Sequence, residues 1–105
     1  MKITVVTGTR AEFGLLEPLM QKIKKSVVLD ISVVATGAHL LESFGSTLTD
    51  VLAAGFTVDA TVHELTSAGT GGEVARQVGS GISSFTSVLS SSAPDAVLLL
   101  GDRYE

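Results

Sequence analysis

The feature that most limits how this chain can fold is an alternation. Four β-branched or leucine-rich runs are separated by segments whose apolar residues return every three or four positions. A strand can reach a parallel neighbour only by a long return over the face of the sheet, usually a helix, so the alternation specifies a parallel α/β sheet with helical crossovers. The first strand is expected over Lys2 to Thr7. Phe13, Leu15, Leu16, Leu19, Met20 and Ile23 then fall at helical spacing, with Lys22, Lys24 and Lys25 at the negative pole of that helix. Pro18 interrupts this pattern and has two readings: it opens the main helix after a short turn, or it kinks a longer one.

Val27 to Ala35 reads as the second strand, ended by Gly37. Between Leu40 and Ala54, Leu41, Phe44, Leu48, Val51 and Leu52 mark a second helical region, which Gly45 is expected to split. Thr47 and Asp50 have the spacing of a capping box, and Gly55 followed by Phe56 has the form of a left-handed cap with its hydrophobic follower. Phe56, Val58, Ala60 and Val62 alternate with polar residues, as in an edge strand with one buried face. Val74, Val78, Ile82, Phe85 and Leu89 mark a third helix, ended by the stretch from Ser90 to Pro94. Ala96 to Leu100 is wholly apolar, as in a strand at the centre of a sheet. Right-handed crossovers then give the Rossmann-like order 3-2-1-4, with two helices on one face and the third on the other. No helix follows the fourth run, so an apolar surface is expected to stay bare and the chain reads as incomplete.

Composition narrows the function classes. A formal charge of −4 gives no overall attraction to nucleic acid or to an anionic membrane surface. No apolar run approaches the roughly 20 residues needed to span a bilayer, and the N-terminus lacks the pattern of a secretory signal, so a soluble cytoplasmic protein is expected. With no cysteine, thiolate chemistry is excluded, and His63 and Glu64 are too few to hold a metal. No metal and no cofactor are expected.

Ligands of open parallel sheets bind beyond the carboxyl ends of the strands, where the winding reverses. The first strand delivers Thr7 to Glu12 to that place, the second delivers Thr36 to His39, and the fourth delivers Gly101 to Glu105. Arg10 and Arg103, two of the three arginines, fall in these loops, a local cationic pair suited to a phosphorylated ligand. Gly8 and Gly101 are expected to bend the backbone and bring a ligand near main-chain donors. The first loop is not a dinucleotide fingerprint, since Gly8 and Gly14 are separated by five residues, and no Walker sequence occurs. Glu12 is expected to serve the first turn of its helix, and the glycines of Gly69-Thr70-Gly71-Gly72 to make a loose loop rather than an anion site.

The segments from Thr7 to Leu16, from Thr36 to Leu40 and from Leu100 to Glu105 together resemble the hydrolysing UDP-N-acetylglucosamine 2-epimerases of sialic and related nonulosonic acid biosynthesis. The resemblance is collinear over essentially the whole chain. It implies that residues 1–105 form part of the N-terminal Rossmann-like domain of a two-domain GT-B-type fold, the remainder and the second domain lying beyond Glu105. It implies a homo-oligomeric enzyme that converts UDP-GlcNAc, or a related UDP-2-acetamido sugar, to the C2-inverted free sugar and UDP, and a fragment that is inactive alone; the alternatives are a non-hydrolysing UDP-GlcNAc 2-epimerase and a stand-alone nucleotide-binding or interaction module. Arg10, Gly14 and Arg103 match nucleotide-sugar contacts, and Asp102 matches an aspartate of the acid/base chemistry. Gly8 and His39 join them as substrate-binding candidates, with packing at a helix start as the alternative for His39.

Overall fold

The structure, a computed structural model, describes residues 1–40, 48–63 and 69–101. Strand β1 (Lys2–Thr7) leads into helix α1 (Arg10–Lys25) and strand β2 (Asp30–Thr36), followed by a 3₁₀ turn over Gly37–Leu40. Helix α2 (Leu48–Ala53), strand β3 (Ala60–Val62), helix α3 (Gly71–Ser92) and strand β4 (Ala96–Leu98) complete the described elements. The order is β3-β2-β1-β4 with every pairing parallel, the reversal falling between β1 and β4. Lys2 pairs with Asp30 and Thr7 with Ala35, so β1 and β2 end together, and Val5 pairs with Leu98.

Successive strand residues point to opposite faces, and the two faces are packed differently. Val5 and Val33 meet Phe13, Leu16 and Met20 of α1, Val51 of α2, and Phe56. Val6, Val34 and Val62 face α3, where Phe85 and Val88 are only partly buried. Helix α1 runs from Arg10 through Pro18, which stands on its exposed side, so Pro18 does not open the helix but lies within a longer one. The buried stripe is Phe13, Leu16, Met20 and Ile23; Leu15 and Leu19, which share the helical spacing, face outward. At the end of α2, Gly55 (φ 93°) donates to Leu52 and Phe56 donates to Val51, the two bonds of a Schellman cap, while the Phe56 ring enters the core. Thr47 and Gly45 lie outside the described residues.

Three expected boundaries are corrected. β2 begins at Asp30 rather than Val27, because the Ser26 hydroxyl accepts the amides of Val28 and Leu29 and diverts them into a turn. Val27 is consequently 100% exposed. The alternating stretch from Phe56 to Val62 does not keep one face: Phe56 and Val58 pack on the α1 side, whereas Ala60 and Val62 pack on the α3 side. The crossing occurs at Asp59, whose amide donates to the Val33 carbonyl (2.8 Å) while its carboxylate accepts the Val33 amide (2.7 Å). A side chain thus completes the ladder where the backbone changes sides, and only Ala60–Val62 is regular strand. Asp95 does the same for Lys2 at the start of β4, at 2.8 and 2.7 Å. Finally, β4 is shorter than the run from Ala96 to Leu100, and Leu99 beyond it is 65% exposed.

On α3 the expected stripe holds at Val74, Val78, Phe85 and Leu89, each partly buried, and fails at one position. Ile82 is 65% exposed, while the fully buried position of the helix is Gly81. The helix stops at Ser92, where Ala93 turns left-handed (φ 45°) and donates to Leu89.

Candidate functional site

The loops that leave β1, β2 and β4 meet at one end of the sheet. The first is held by a local hydrogen-bond circuit. Thr9 is the N-cap of α1, and its side chain accepts the Glu12 amide (3.1 Å). The Glu12 carboxylate returns to accept the Gly8 amide (2.9 Å), one residue earlier than the usual reciprocal bond of a capping box. The Thr9-x-x-Glu12 spacing was a legible signal for this arrangement, which goes beyond the dipole role expected of Glu12. Positive φ occurs in these loops at Gly37 (60°) and Gly101 (90°), and not at Gly8.

His39 is fully buried. Its Nε2 lies 2.9 Å from the Thr7 hydroxyl, and its amide donates to the Gly8 carbonyl (3.1 Å), so it ties the end of β2 to the end of β1. Burial lowers the pKa of the imidazole below its ordinary value, against smaller raising effects from the Asp50 charge and a backbone hydrogen bond at Thr9. A neutral ring presents one donor and one acceptor, and the Thr7 hydroxyl can satisfy either. In this conformation the ring secures the loops and offers no surface to a ligand.

Arg10 opens α1 beside this circuit with its side chain 76% exposed, and its Nε lies 3.4 Å from an Asp50 carboxylate oxygen. Asp50, on α2, is a neighbour that sequence spacing did not suggest. An exposed pair of this kind contributes at most about 1 kcal/mol; a phosphate could displace it. Gly14 lies on the exposed side of α1, one turn further on, and a Cβ there would meet nothing within 4 Å. Asp102 and Arg103 lie outside the described residues.

Gly8, Glu12, Thr36, Leu99, Leu100 and Gly101 surround a cleft of about 70 Å³ between the β1 and β4 loops. Small-molecule sites commonly enclose about 300–1,000 Å³, so this cleft is too small to enclose such a ligand by itself and is at most one wall of a site. Elsewhere, Thr70 caps α3 by accepting the Glu73 amide (3.3 Å), and His63 is 3.0 Å from the Thr61 hydroxyl. Among the described residues, no three acidic or histidine side chains gather as a metal site, and no helix is long and apolar enough to cross a membrane.

The fold has known counterparts. A crystal structure of UDP-GlcNAc 2-epimerase from Neisseria meningitidis bound to UDP-GlcNAc superposes with a TM-score of 0.77 at 25% identity, covering 99% of this chain and 27% of that one. The UDP-N,N'-diacetylbacillosamine 2-epimerase (hydrolyzing) of Legionella pneumophila is 36% identical over 104 residues, 99% of this chain and 28% of that protein. The GDP/UDP-N,N'-diacetylbacillosamine 2-epimerase (hydrolyzing) of Campylobacter jejuni is 33% identical over 99% of this chain and 27% of its own length. The chain therefore spans little more than a quarter of the curated relatives it matches. The profile of the family described as UDP-N-acetylglucosamine 2-epimerase matches residues 21–105, and this chain belongs to that family.

Proposed function

We propose that the whole protein is a hydrolysing 2-epimerase of a UDP-linked 2-acetamido sugar, and that this chain contributes part of its nucleotide-sugar-binding domain. The observation that carries the reading is the position of Arg10, exposed two residues after Gly8, which itself lines the cleft wall at the reversal point of the sheet. A diphosphate at that wall would exchange the weak Asp50 partner of Arg10 for charge-assisted bonds. Asp102, directly after Gly101, is the carboxylate for proton transfer at C2, and Arg103 is a second cation for the departing UDP. The reaction removes the C2 proton as UDP leaves C1, and water then adds to the resulting glycal to release the C2-inverted free sugar. Acidic groups beyond Glu105 share this work. The diacetamido sugar is favoured as substrate over UDP-GlcNAc, because the relatives named for it are 36% and 33% identical, against 28% for the Neisseria meningitidis UDP-GlcNAc 2-epimerase.

The test is to incubate the full-length protein with UDP-N,N'-diacetylbacillosamine and, separately, with UDP-GlcNAc. Free UDP and a C2-inverted free sugar are expected, with faster turnover of the diacetamido substrate. A UDP-linked epimer formed without free UDP would replace this reading by the non-hydrolysing reaction, and no turnover of either would overturn it. Arg10→Ala is expected to weaken UDP binding about tenfold. Asp102→Asn is expected to keep UDP binding while lowering turnover by about 10²-fold or more.

A further inference from the structure

Arg10 and Asp50 form an ion pair whose two partners are held very differently. Asp50 stands in the first turn of α2, next to Val51, which is fully buried in the core. The far end of α2 is fastened to α1, since Gln21 Nε2 donates to the Ala54 carbonyl (3.0 Å) and Lys24 Nζ donates to the Gly55 carbonyl. The backbone that carries Asp50 is therefore fixed. Arg10, by contrast, projects from the start of α1 on a long side chain that is 76% exposed. The 3.4 Å between its Nε and the Asp50 carboxylate exceeds the about 2.7–3.2 Å of a good hydrogen bond, so the pair is held by charge rather than by a directed bond. Parting it strands no buried ion: the Asp50 side chain is itself 41% exposed, and the amides of the first helical turn favour its charge.

We infer that Asp50 is an internal competitor for Arg10: a fixed carboxylate that occupies the guanidinium in the unliganded protein and limits how tightly a phosphate ligand binds. This rests on the proposed function, which gives Arg10 a phosphate to hold, and adds what restrains that hold. In such a competition, the apparent affinity of any ligand that uses Arg10 is scaled down by the fraction of protein in which Arg10 is free. A ligand without a phosphate escapes the reduction. Exposed pairs are weak, so the reduction amounts to about threefold. Asp50 thereby holds down the affinity for UDP, the product that must leave, and takes Arg10 back when it does.

The experiment measures calorimetric binding of UDP and of uridine to the full-length protein as wild type, Asp50→Asn, Arg10→Ala and the double variant, with a thermal midpoint for each. Asp50→Asn is expected to bind UDP about threefold more tightly and uridine with unchanged affinity. In the Arg10→Ala background the same substitution is expected to leave UDP affinity unchanged, because no guanidinium remains to be released. The inference is overturned if Asp50→Asn leaves UDP affinity unchanged, or if it weakens UDP binding, which would make Asp50 a support that orients Arg10. It is equally overturned if Asp50→Asn tightens uridine as well, or tightens UDP as much without Arg10 as with it. Asp50 would then act on ligands in general rather than through the pair. Each of these results leaves the proposed function standing, whereas unchanged UDP affinity in Arg10→Ala alone removes the proposed role of Arg10 and this inference with it.

Discussion

The two faces of the sheet are built from the same kind of strand and reach different qualities of packing. On the α1 side, Val5 and Val33 are enclosed by Phe13, Leu16, Met20, Val51 and Phe56, and the rings of Phe13 and Phe56 meet edge to face with centroids 6.3 Å apart. On the α3 side, Val6, Val34 and Val62 are covered by a helix whose contacting residues are only half-buried. A cleft of about 560 Å³ opens there between the strand starts and Ser87, Val88, Ser91 and Ser92, and a second of about 220 Å³ lies between Phe85, Leu89, Val97 and Leu99. The difference comes from the helices. α1 offers large side chains at 13, 16, 20 and 23, whereas α3 offers glycine and serine between its large residues. Small residues allow a close approach but leave little surface to bury, and dispersion and hydrophobic gain both scale with that surface.

Matched substitutions in the full-length protein would sharpen this contrast. Met20→Ala removes a fully buried side chain from the dense face and is expected to cost about 2–5 kcal/mol in denaturant unfolding. Phe85→Ala removes a larger side chain from the sparse face, yet is expected to cost only about 1–2 kcal/mol, because much of its area already meets solvent or a cleft. Equal costs would mean that the α3 face is as well packed in solution as the α1 face, and the comparison would fail. The smallest effect is expected at Thr4, which is fully buried on the α3 side with no hydrogen-bond partner for its hydroxyl among the described residues. Thr4→Val keeps the shape and removes the stranded polar group, so a stabilisation of about 1 kcal/mol is expected. A destabilisation by the same amount would reveal a partner for that hydroxyl and a wetter or fuller face than the geometry describes.

How far the fold could be read depended on whether the signal was local. The unbroken run of β1, the stripe of Phe13, Leu16, Met20 and Ile23, and the Gly55–Phe56 cap each depend on residues within a turn or two of one another, and they stand as expected. The strand order followed from handedness and the half-polar third run. The segment from Phe56 to Val62 failed as a one-faced strand because its alternation is also compatible with a chain that changes sides, and the deciding bond joins Asp59 to a residue 26 positions away. Leu15 and Leu19 show the same limit: periodicity marks a stripe, while the width of the stripe that meets the sheet is decided by the sheet.

The site divides in the same way. That Gly8, Arg10, His39 and Gly101 gather at the reversal point was legible, because a parallel sheet sends every strand-end loop to the same edge. Their partners were not. Asp50 beside Arg10 and Thr7 beside His39 are distances through space between groups that the chain order separates. By itself the sequence determined the parallel architecture, the reversal point and the residue types delivered there, since those follow from hydrophobic period, chirality and strand direction. Only the tertiary structure decided that His39 is enclosed, that Glu12 lies in the cleft and that one sheet face is dense and the other open. Burial and hydrogen-bond pairing depend on what arrives from distant parts of the chain, and no local pattern specifies that.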